Sequence, residues 1–391
     1  MSDQTYLNWP FFEDRHRDWS HQVEEVASGL SVDHNNVDDS CRTLVRTLGE
    51  SGLLQATSSN DGAFDVRKLC IAREILARHD GLADFSFAMQ GLGTGALTLF
   101  GSEAQKNRWL RLTRSGQAIS AFALTEPGSG SDVANSSMTA ERDGSGYILN
   151  GEKTWISNGG IADFYTVFAR TGEASGASGL SAFVISPDLS GFDIKERLQT
   201  IAPHPLATLR FKDCRVPASS MIGIAGQGFK IAMSVLDVFR PTVAAAALGF
   251  ARRALDEALT RVSQRHVQGA PLFDLQLVQG HIADMSLNID ASALLVYRAA
   301  WAKDTHTNRI TKEAAMAKLF STEQAQKVID TAVQLFGGDG VRSGMPVEQL
   351  YRDIRALRIY EGASDVQKVI IARQAMSSMT ETLNKIRQKG V

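Results

Sequence analysis

Cysteine is scarce in this chain: Cys41, Cys70 and Cys214 are the three among 391 residues. They lie far apart with no Cys-x-x-Cys spacing, so neither a disulfide framework nor a zinc site follows from them, and three buried thiols in a reducing compartment is the plain reading. Proline is sparse, at 9 residues, and no internal repeat or low-complexity tract is present. An excess of one charge is also missing: 41 Lys and Arg stand against 43 Asp and Glu, a formal net charge of −2. Without clustered cations there is no electrostatic footprint for DNA or RNA, and no nucleic-acid partner is expected. No run of about 18 apolar residues is evident, so no membrane span is predicted. The N-terminal residues carry an early acid and neither the apolar core of a signal peptide nor the Arg-rich, acid-poor pattern of a mitochondrial presequence. A cytoplasmic protein is the expectation.

What is present is globular: 43% hydrophobic and 21% charged residues, with 33 Gly. The length predicts two or three domains rather than one core. Periodicity divides the chain into residues 1–118, 119–223 and 224–391. In the first zone Val23 and Val26, Leu44, Val45 and Leu48, and Leu69, Ile71, Ala72, Ile75 and Leu76 recur at helical spacing. Gly91-Leu92-Gly93 and Gly101 read as breaks between helices. In the second zone the period falls to two. Asn150-Gly151, between Tyr147-Ile148-Leu149 and residues 152–157, predicts a tight hairpin, and residues 164–169, 180–185 and 206–211 predict further strands closed by Val216-Pro217. In the third zone Pro241 marks the start of a long helix to about Arg265. Helices are predicted at about 274–304 and 311–336, the latter capped by Gly337-Gly338, and a last one from near Ser364.

Three stretches carry candidate chemistry. Phe122-Ala123-Leu124-Thr125-Glu126-Pro127-Gly128-Ser129-Gly130-Ser131-Asp132 offers hydroxyls and approachable N–H groups, suited to a polar cofactor or phosphate, although the same composition also makes an ordinary surface turn. It matches neither Walker A nor a dinucleotide-binding GxGxxG. Gly151 to Gly160 contains Trp155, which by burial habit reads as a core residue of the β zone; the functional alternative is an indole beside a hydroxyl, flanking a flat aromatic ring. Near the C-terminus Tyr360-Glu361-Gly362 sets a carboxylate beside a residue with no side chain, where a substrate can approach closely and the backbone can bend.

Leu124 to Asp132 followed by Asn150 to Gly159 resembles the flavin-binding signature of the acyl-CoA dehydrogenase family. Gln334 to Gly340, Tyr351-Arg352-Asp353 and Ile359 to Gly362 are similar to its second signature, and order and layout match along essentially the whole chain. The resemblance implies an α + β multidomain fold. An N-terminal α-helical domain (1–118) would be followed by a middle β-barrel or β-sandwich domain (119–223) and a C-terminal four-helix bundle (224–391). It implies FAD, a homotetramer built as a dimer of dimers, and an electron-transferring flavoprotein as acceptor. Phe122, Leu124, Thr125, Gly130 and Ser131 match flavin-lining positions, and Trp155 and Ser157 positions against the ring. Gln334, Gly337 and Gly338 match contacts to the adenosine end across a subunit boundary. Arg265, Gln268 and Gln276 resemble a stretch that reaches a neighbouring subunit's FAD, where a guanidinium suits a pyrophosphate. Ala363 and Asp365 fall among cofactor positions; Ser131, His204, Asp237, Arg240 and Gly362 fall among substrate positions.

Glu361 matches the family's catalytic base, which removes the α-proton of an acyl thioester while the β-hydride passes to flavin N5, giving the 2-enoyl product. An exposed Glu, with a pKa near about 4.3, is too weak for this; burial against flavin and acyl chain is expected to raise it. The Glu361 N–H is a candidate donor to the thioester oxygen. Some members carry the base on the helix near Arg240; here the neighbour, Phe239, cannot ionise. Departures from the family pattern are Gln268 for Phe, Ala363 for Thr or Ser, Asp365 for Gln, Asn or Glu, and Thr200 to Pro205, where His204 replaces a small and basic pattern near the CoA arm. Two substrates remain open: acyl-CoA, or the same reaction on an acyl-carrier-protein thioester. A flavin oxidase or monooxygenase on the same fold is disfavoured by Glu361. No cation is evident in the candidate acyl-pocket stretch from Phe87 to Leu97 to receive a dicarboxylic substrate.

Overall fold

The computed structural model describes residues 3–306 and 309–388. They form two compact units, Trp19–Phe239 and a second made of the chain up to Asp18 together with Arg240 onward. The opening helix α1 (Asp14–Ser28) crosses the first boundary.

In the unit Trp19–Phe239, four helices follow: α2 (Val37–Glu50), α3 (Val66–His79), α4 (Gly81–Phe100) and α5 (Glu103–Arg114). Their starts are written locally. Asn36, Asp65 and Asp80 accept N–H bonds from the first turns of α2, α3 and α4, and Ser102 with Gln105 makes a reciprocal capping box at α5. The Arg73 guanidinium meets the Asp84 carboxylate through two 2.8 Å bonds, joining α3 to α4 in a buried bidentate pair. Helix α4 runs straight through Gly91 and Gly93, which the sequence reads as breaks. A Cβ at residue 91 would stand 2.6 Å from Phe239 Cε1, and one at 95 would stand 2.8 Å from Val235 Cγ1. These glycines let neighbouring side chains approach the helix backbone; they do not end it.

The sheet of this unit contains β1 (Ser120–Ala123), β2 (Thr139–Asp143), β3 (Gly146–Ser157), β4 (Phe164–Arg170), β5 (Leu180–Ile185), β6 (Phe192–Arg197), β7 (Leu206–Pro217) and β8 (Met221–Ile222). Its order is β6-β7-β3-β2-β4-β5-β8, with β1 also paired to β4, in parallel. The expected hairpin at Asn150-Gly151 is absent, because β3 continues through both residues. The hairpin lies earlier, at Gly144-Ser145 between β2 and β3, where Gly144 has φ 56°. Asn150 instead faces a bulge: Lys212 and Asp213 of β7 oppose it, Asp213 has φ 50°, and its N–H donates to Asn150 Oδ1 at 2.8 Å. The Asn-Gly pair serves a bulge across the sheet, a role that local sequence does not distinguish from a turn.

Helix α6 (Gly228–Gln264) spans the second boundary. Pro241 lies inside it rather than at its start. The helix tolerates the lost N–H and ring clash there because packing holds both sides, with residues 243–248 fully buried. By length and composition this helix is also apolar enough to cross a membrane, although Asp237 and Arg240 interrupt its apolar run. Of its apolar window 89% is buried inside the protein, as expected of a core helix that is hydrophobic all round.

Beyond α6, the strands β9 (His266–Val267) and β10 (Ala270–Pro271) form a small hairpin. The remaining helices are α7 (Gln276–Thr305), α8 (Thr311–Phe336), α9 (Pro346–Leu357) and α10 (Ser364–Gln388). Helix α8 packs against α7, α9 and α10, and Gly337, at φ 62°, ends it as the sequence predicts. Helix α7 buries Met285, Ile289, Ala293, Val296 and Tyr297 at helical spacing, while Leu277, Leu287 and Leu294 point outward, 82%, 68% and 46% exposed.

Candidate active site

Glu361 sits in the turn of residues 358–363 between α9 and α10. Its φ is 52° and that of Gly362 is 97°. Two successive left-handed residues cost Gly nothing, whereas Glu needs its surroundings to hold it there. The surroundings are specific. Lys318 Nζ donates to the Gly362 carbonyl at 2.8 Å, Gln367 Nε2 donates to the same oxygen at 2.9 Å, and Arg240 Nε reaches the Glu361 carbonyl at 3.4 Å. The flanks are tied by Glu323, which accepts from Arg358 Nε at 2.9 Å and from Ser364 Oγ at 2.6 Å. A Cβ at residue 362 would displace Gln367 Nε2 from the Gly362 carbonyl, and the φ of 97° itself favours Gly there. Lys318 and Gln367 are fully buried. Burial pushes the Lys318 ammonium from 10.5 down to about 8; Glu361 and Glu323 oppose that shift, and Arg240 and Arg358 reinforce it.

Asp237 and Arg240, three residues apart on α6, are 5% and 6% exposed, not solvated as isolated charges would be. Ala363 accepts the Gln367 N–H in the first turn of α10, and Asp365 is exposed beside Lys368 at 3.1 Å.

In the other unit, the loop from Leu124 to Ser131 is clamped from beneath. Lys153 Nζ donates to Leu124 O at 3.1 Å and to Glu126 Oε1 at 2.8 Å, with both side chains buried. Glu126 also accepts from Ser137 Oγ at 2.8 Å and Met138 N at 3.1 Å. Burial alone would raise the Glu126 pKa; the Lys153 cation and the Ser137 donors outweigh it and hold the carboxyl below its ordinary range. Burial lowers Lys153 to about 8 against the pull of Glu126. Glu126 and Ser129 exchange two backbone bonds of 3.1 Å, and a Cβ at Gly128 or Gly130 would meet nothing within 4 Å. The Thr154 N–H donates to Thr125 O at 2.9 Å, joining the loop to β3.

Trp155 is not a core residue. Thr154 and Trp155 together oppose the single Thr208 of β7, so Trp155 stands in a bulge, with φ 58° and 59% exposure. Phe122 packs on Phe168 with ring centroids 5.0 Å apart, while Leu124 is buried. An outward indole, the half-buried Thr125 and Ser157, the exposed Ser131 hydroxyl and the open backbone at Gly128 and Gly130 form a donor set that fits a flat ring with a polar edge. That is the chemistry of an isoalloxazine.

Arg265, Gln268 and Gln276 are exposed around the β9–β10 hairpin, where Gln268 at φ 52° and Gly269 at φ 87° make the two-residue turn. Gln334, Gly337 and Gly338 are exposed at the end of α8. That end is fastened by Arg261, whose Nη2 donates to Phe336 O at 3.0 Å and lies 3.2 Å from Asp339. The His204 ring lies 4.7 Å from that of Phe85, its Nδ1 donates to Ala202 O at 2.9 Å, and burial lowers its pKa, leaving a neutral imidazole.

Sequence reasoning passed over Lys318 and Glu323 entirely, and took Arg358, Gln367, Lys153 and Glu126 as no more than motif letters. One signal was available for Lys318. It shares the stripe of Ala314, Ala315, Ser321, Thr322 and Ala325, all buried, where a lysine is out of place.

The family models for the N-terminal, middle and C-terminal domains of acyl-CoA dehydrogenase match residues 15–117, 121–214 and 226–376. The human mitochondrial short-chain specific acyl-CoA dehydrogenase is 40% identical over 342 residues, 85% of this chain and 82% of its own. The solved butyryl-CoA dehydrogenase of Megasphaera elsdenii superposes with a TM-score of 0.86 at 32% identity, covering 93% of this chain and 99% of that one. A chain solved in a study of the electron transferring flavoprotein of Acidaminococcus fermentans and flavin-based electron bifurcation gives 0.87 at 33% identity, with 93% and 98% covered. With three domain models in order along most of its length, the chain belongs to the acyl-CoA dehydrogenase family, whose members depend on FAD.

Proposed function

We propose that Glu361 is the base of this acyl-CoA dehydrogenase, and that its substrate is the CoA thioester of a short acyl chain. The observation that carries the first part is the left-handed Glu361–Gly362 turn, held through its carbonyls by Lys318, Gln367 and Arg240. Left-handed backbone at a charged residue costs roughly 1–3 kcal/mol, and such strain gathers where a side chain must be aimed.

The Glu361 carboxylate takes the α-proton of the thioester. Its own N–H is a donor for the thioester oxygen, steadying the negative charge that builds there as the proton leaves. Bound FAD supplies the acceptor for the β-hydride, and Thr125, Ser131, Trp155 and Ser157 would hold its ring system. Phe239 cannot ionise and packs against Phe64 and Gly91, so α6 offers no second base at that position.

Relatives named for short-chain acyl-CoA and for butyryl-CoA support a short CoA thioester over a carrier-protein thioester. An electron-transferring flavoprotein is the acceptor we favour, supported by the structural likeness to a chain studied with one. A homotetramer is supported by apolar residues turned outward in one unit, among them Leu277 and Leu287 on α7 and Val369, Met376 and Met379 on α10.

Anaerobic flavin bleaching across a panel of acyl-CoA chain lengths, with and without Glu361→Gln, tests the reading. Butyryl-CoA should bleach the wild type fastest, and the variant should keep its FAD and lose bleaching. A Glu361→Gln protein that bleaches normally removes the assignment.

A further inference from the structure

The base turn is held from below by a buried amine to which the reaction assigns no role. Lys318 projects from the buried stripe of α8 and is fully buried, and its Nζ meets the Gly362 carbonyl at 2.8 Å. A lysine removed from water is expensive to keep, and every other buried residue of the same helix is uncharged. Geometry indicates what it does. The Gly362 carbonyl belongs to the Gly362–Ala363 peptide, one residue beyond the Glu361 carbonyl, and Lys318 and Gln367 together occupy it. Rotating that peptide would break both bonds at once and free Gly362, whose left-handed φ of 97° continues the turn in which Glu361 is held.

We propose that Lys318 is the positioning residue of this enzyme's base. Its ammonium locks the Glu361–Gly362 turn through the Gly362 carbonyl and supplies a fixed positive charge close to the Glu361 carboxylate. The inference rests on Glu361 being the base. Two effects follow. The bond restricts the carboxylate to one approach, and misplacement of a reacting group by about 1 Å costs on the order of 100-fold in rate. The charge favours the proton-free carboxylate, the form able to accept. The charged groups facing Lys318 are Glu361 and Arg358 from the turn, Arg240 from α6 and Glu323 from α8, two acids and two bases. The lysine is therefore not the neutraliser of a lone acid, and removing it leaves the cluster short of one cation.

The test uses FAD-loaded Lys318→Met, Lys318→Arg and Glu361→Gln proteins, with anaerobic single-turnover reduction by butyryl-CoA and by α,α-dideuterated butyryl-CoA across pH. For Lys318→Met, the rate per bound FAD should fall about 10- to 100-fold, the α-deuterium isotope effect should rise, and the acidic limb of the pH–rate profile should move to higher pH. Lys318→Arg, which keeps charge and donor, should recover much of the rate and return the limb. Arrival of the limb at its wild-type position in Lys318→Met, with an unchanged isotope effect, overturns the proposal. So does a rate loss that only follows lost FAD and that Lys318→Arg does not repair. If Glu361→Gln itself reduces flavin normally, the base reading fails instead, which keeps the two failures apart.

Discussion

Lys153 and Glu126 form a buried ion pair 2.8 Å long beneath the loop that carries the candidate flavin residues, and the same ammonium also holds the Leu124 carbonyl at 3.1 Å. One lysine thereby holds the loop at both Leu124 and Glu126, and removing it leaves the buried Glu126 carboxylate without its counter-cation. Lys153→Met should destabilise the protein by about 3–5 kcal/mol and release FAD. Thermal unfolding with and without added FAD checks this; an unchanged midpoint and FAD content would contradict it.

The same pair sets an acid dependence. The Glu126 carboxyl titrates below its ordinary 4.5 in the folded protein, so its contribution is complete above that value and lost as pH falls through the lower folded one. Lys153 has the opposite sign. Its folded value of about 8 lies under its ordinary 10.5, so the burial penalty is full below pH 8 and relieved as pH climbs between the two. Stability should therefore decline below about pH 4.5, and Glu126→Gln should flatten that decline while lowering stability at neutral pH. Urea midpoints at a series of pH values measure both.

Trp155 offers a clean separation of folding from binding. At 59% exposure its indole contributes little to the core, so Trp155→Ala should change unfolding free energy by no more than about 0.5 kcal/mol. Loss of a stacking partner should weaken FAD by about tenfold, equivalent to about 1.4 kcal/mol. Fluorescence titration of the apoprotein with FAD gives the affinity. A large loss of stability with unaltered FAD binding would mean that the indole supports the fold instead.

Gly91 and Phe239 make a matched pair between α4 and α6. Gly91→Ala puts a methyl 2.6 Å from Cε1 and 2.9 Å from Cζ of a ring already packed edge-on against Phe64, and should cost about 1–3 kcal/mol. Phe239→Leu alone loses packing, yet in combination with Gly91→Ala part of the loss should return. A double-mutant cycle on thermal stability reads the coupling, and strict additivity would show that the two residues do not compete for the same space.

The outward leucines of α7 bear on assembly. Leu287→Glu, at a residue 68% exposed, should leave the folded unit intact and shift the protein toward smaller species in sedimentation velocity. A tetramer indifferent to the change would place the interface elsewhere.

The helices and strands whose signals are local were legible in the sequence. The period of α2 and α3, the glycine stop of α8 and the strands at 164–169 and 180–185 each depend on neighbours a few residues away. Glu361 stood out for the same reason, as an acid beside a glycine in a long motif. The misreadings share the opposite property. Asn150-Gly151 faces a bulge because of Lys212 and Asp213 on another strand, Gly91 and Gly93 lie within a helix because Phe239 and Ser120 pack closely against them, and Pro241 stays helical because of the packing around it.

Chain order alone determined the family, its cofactor and the acid offered as the base, since long motifs survive as strings of letters. Only tertiary structure decided how that acid is held. Lys318 and Gln367 lie 43 residues before and 6 residues after Glu361, and they converge on one carbonyl because α8 and α10 pack together. Burying an amine is a property of the folded interior, where the loss of water must be balanced by specific partners, and no local pattern records which partners those will be.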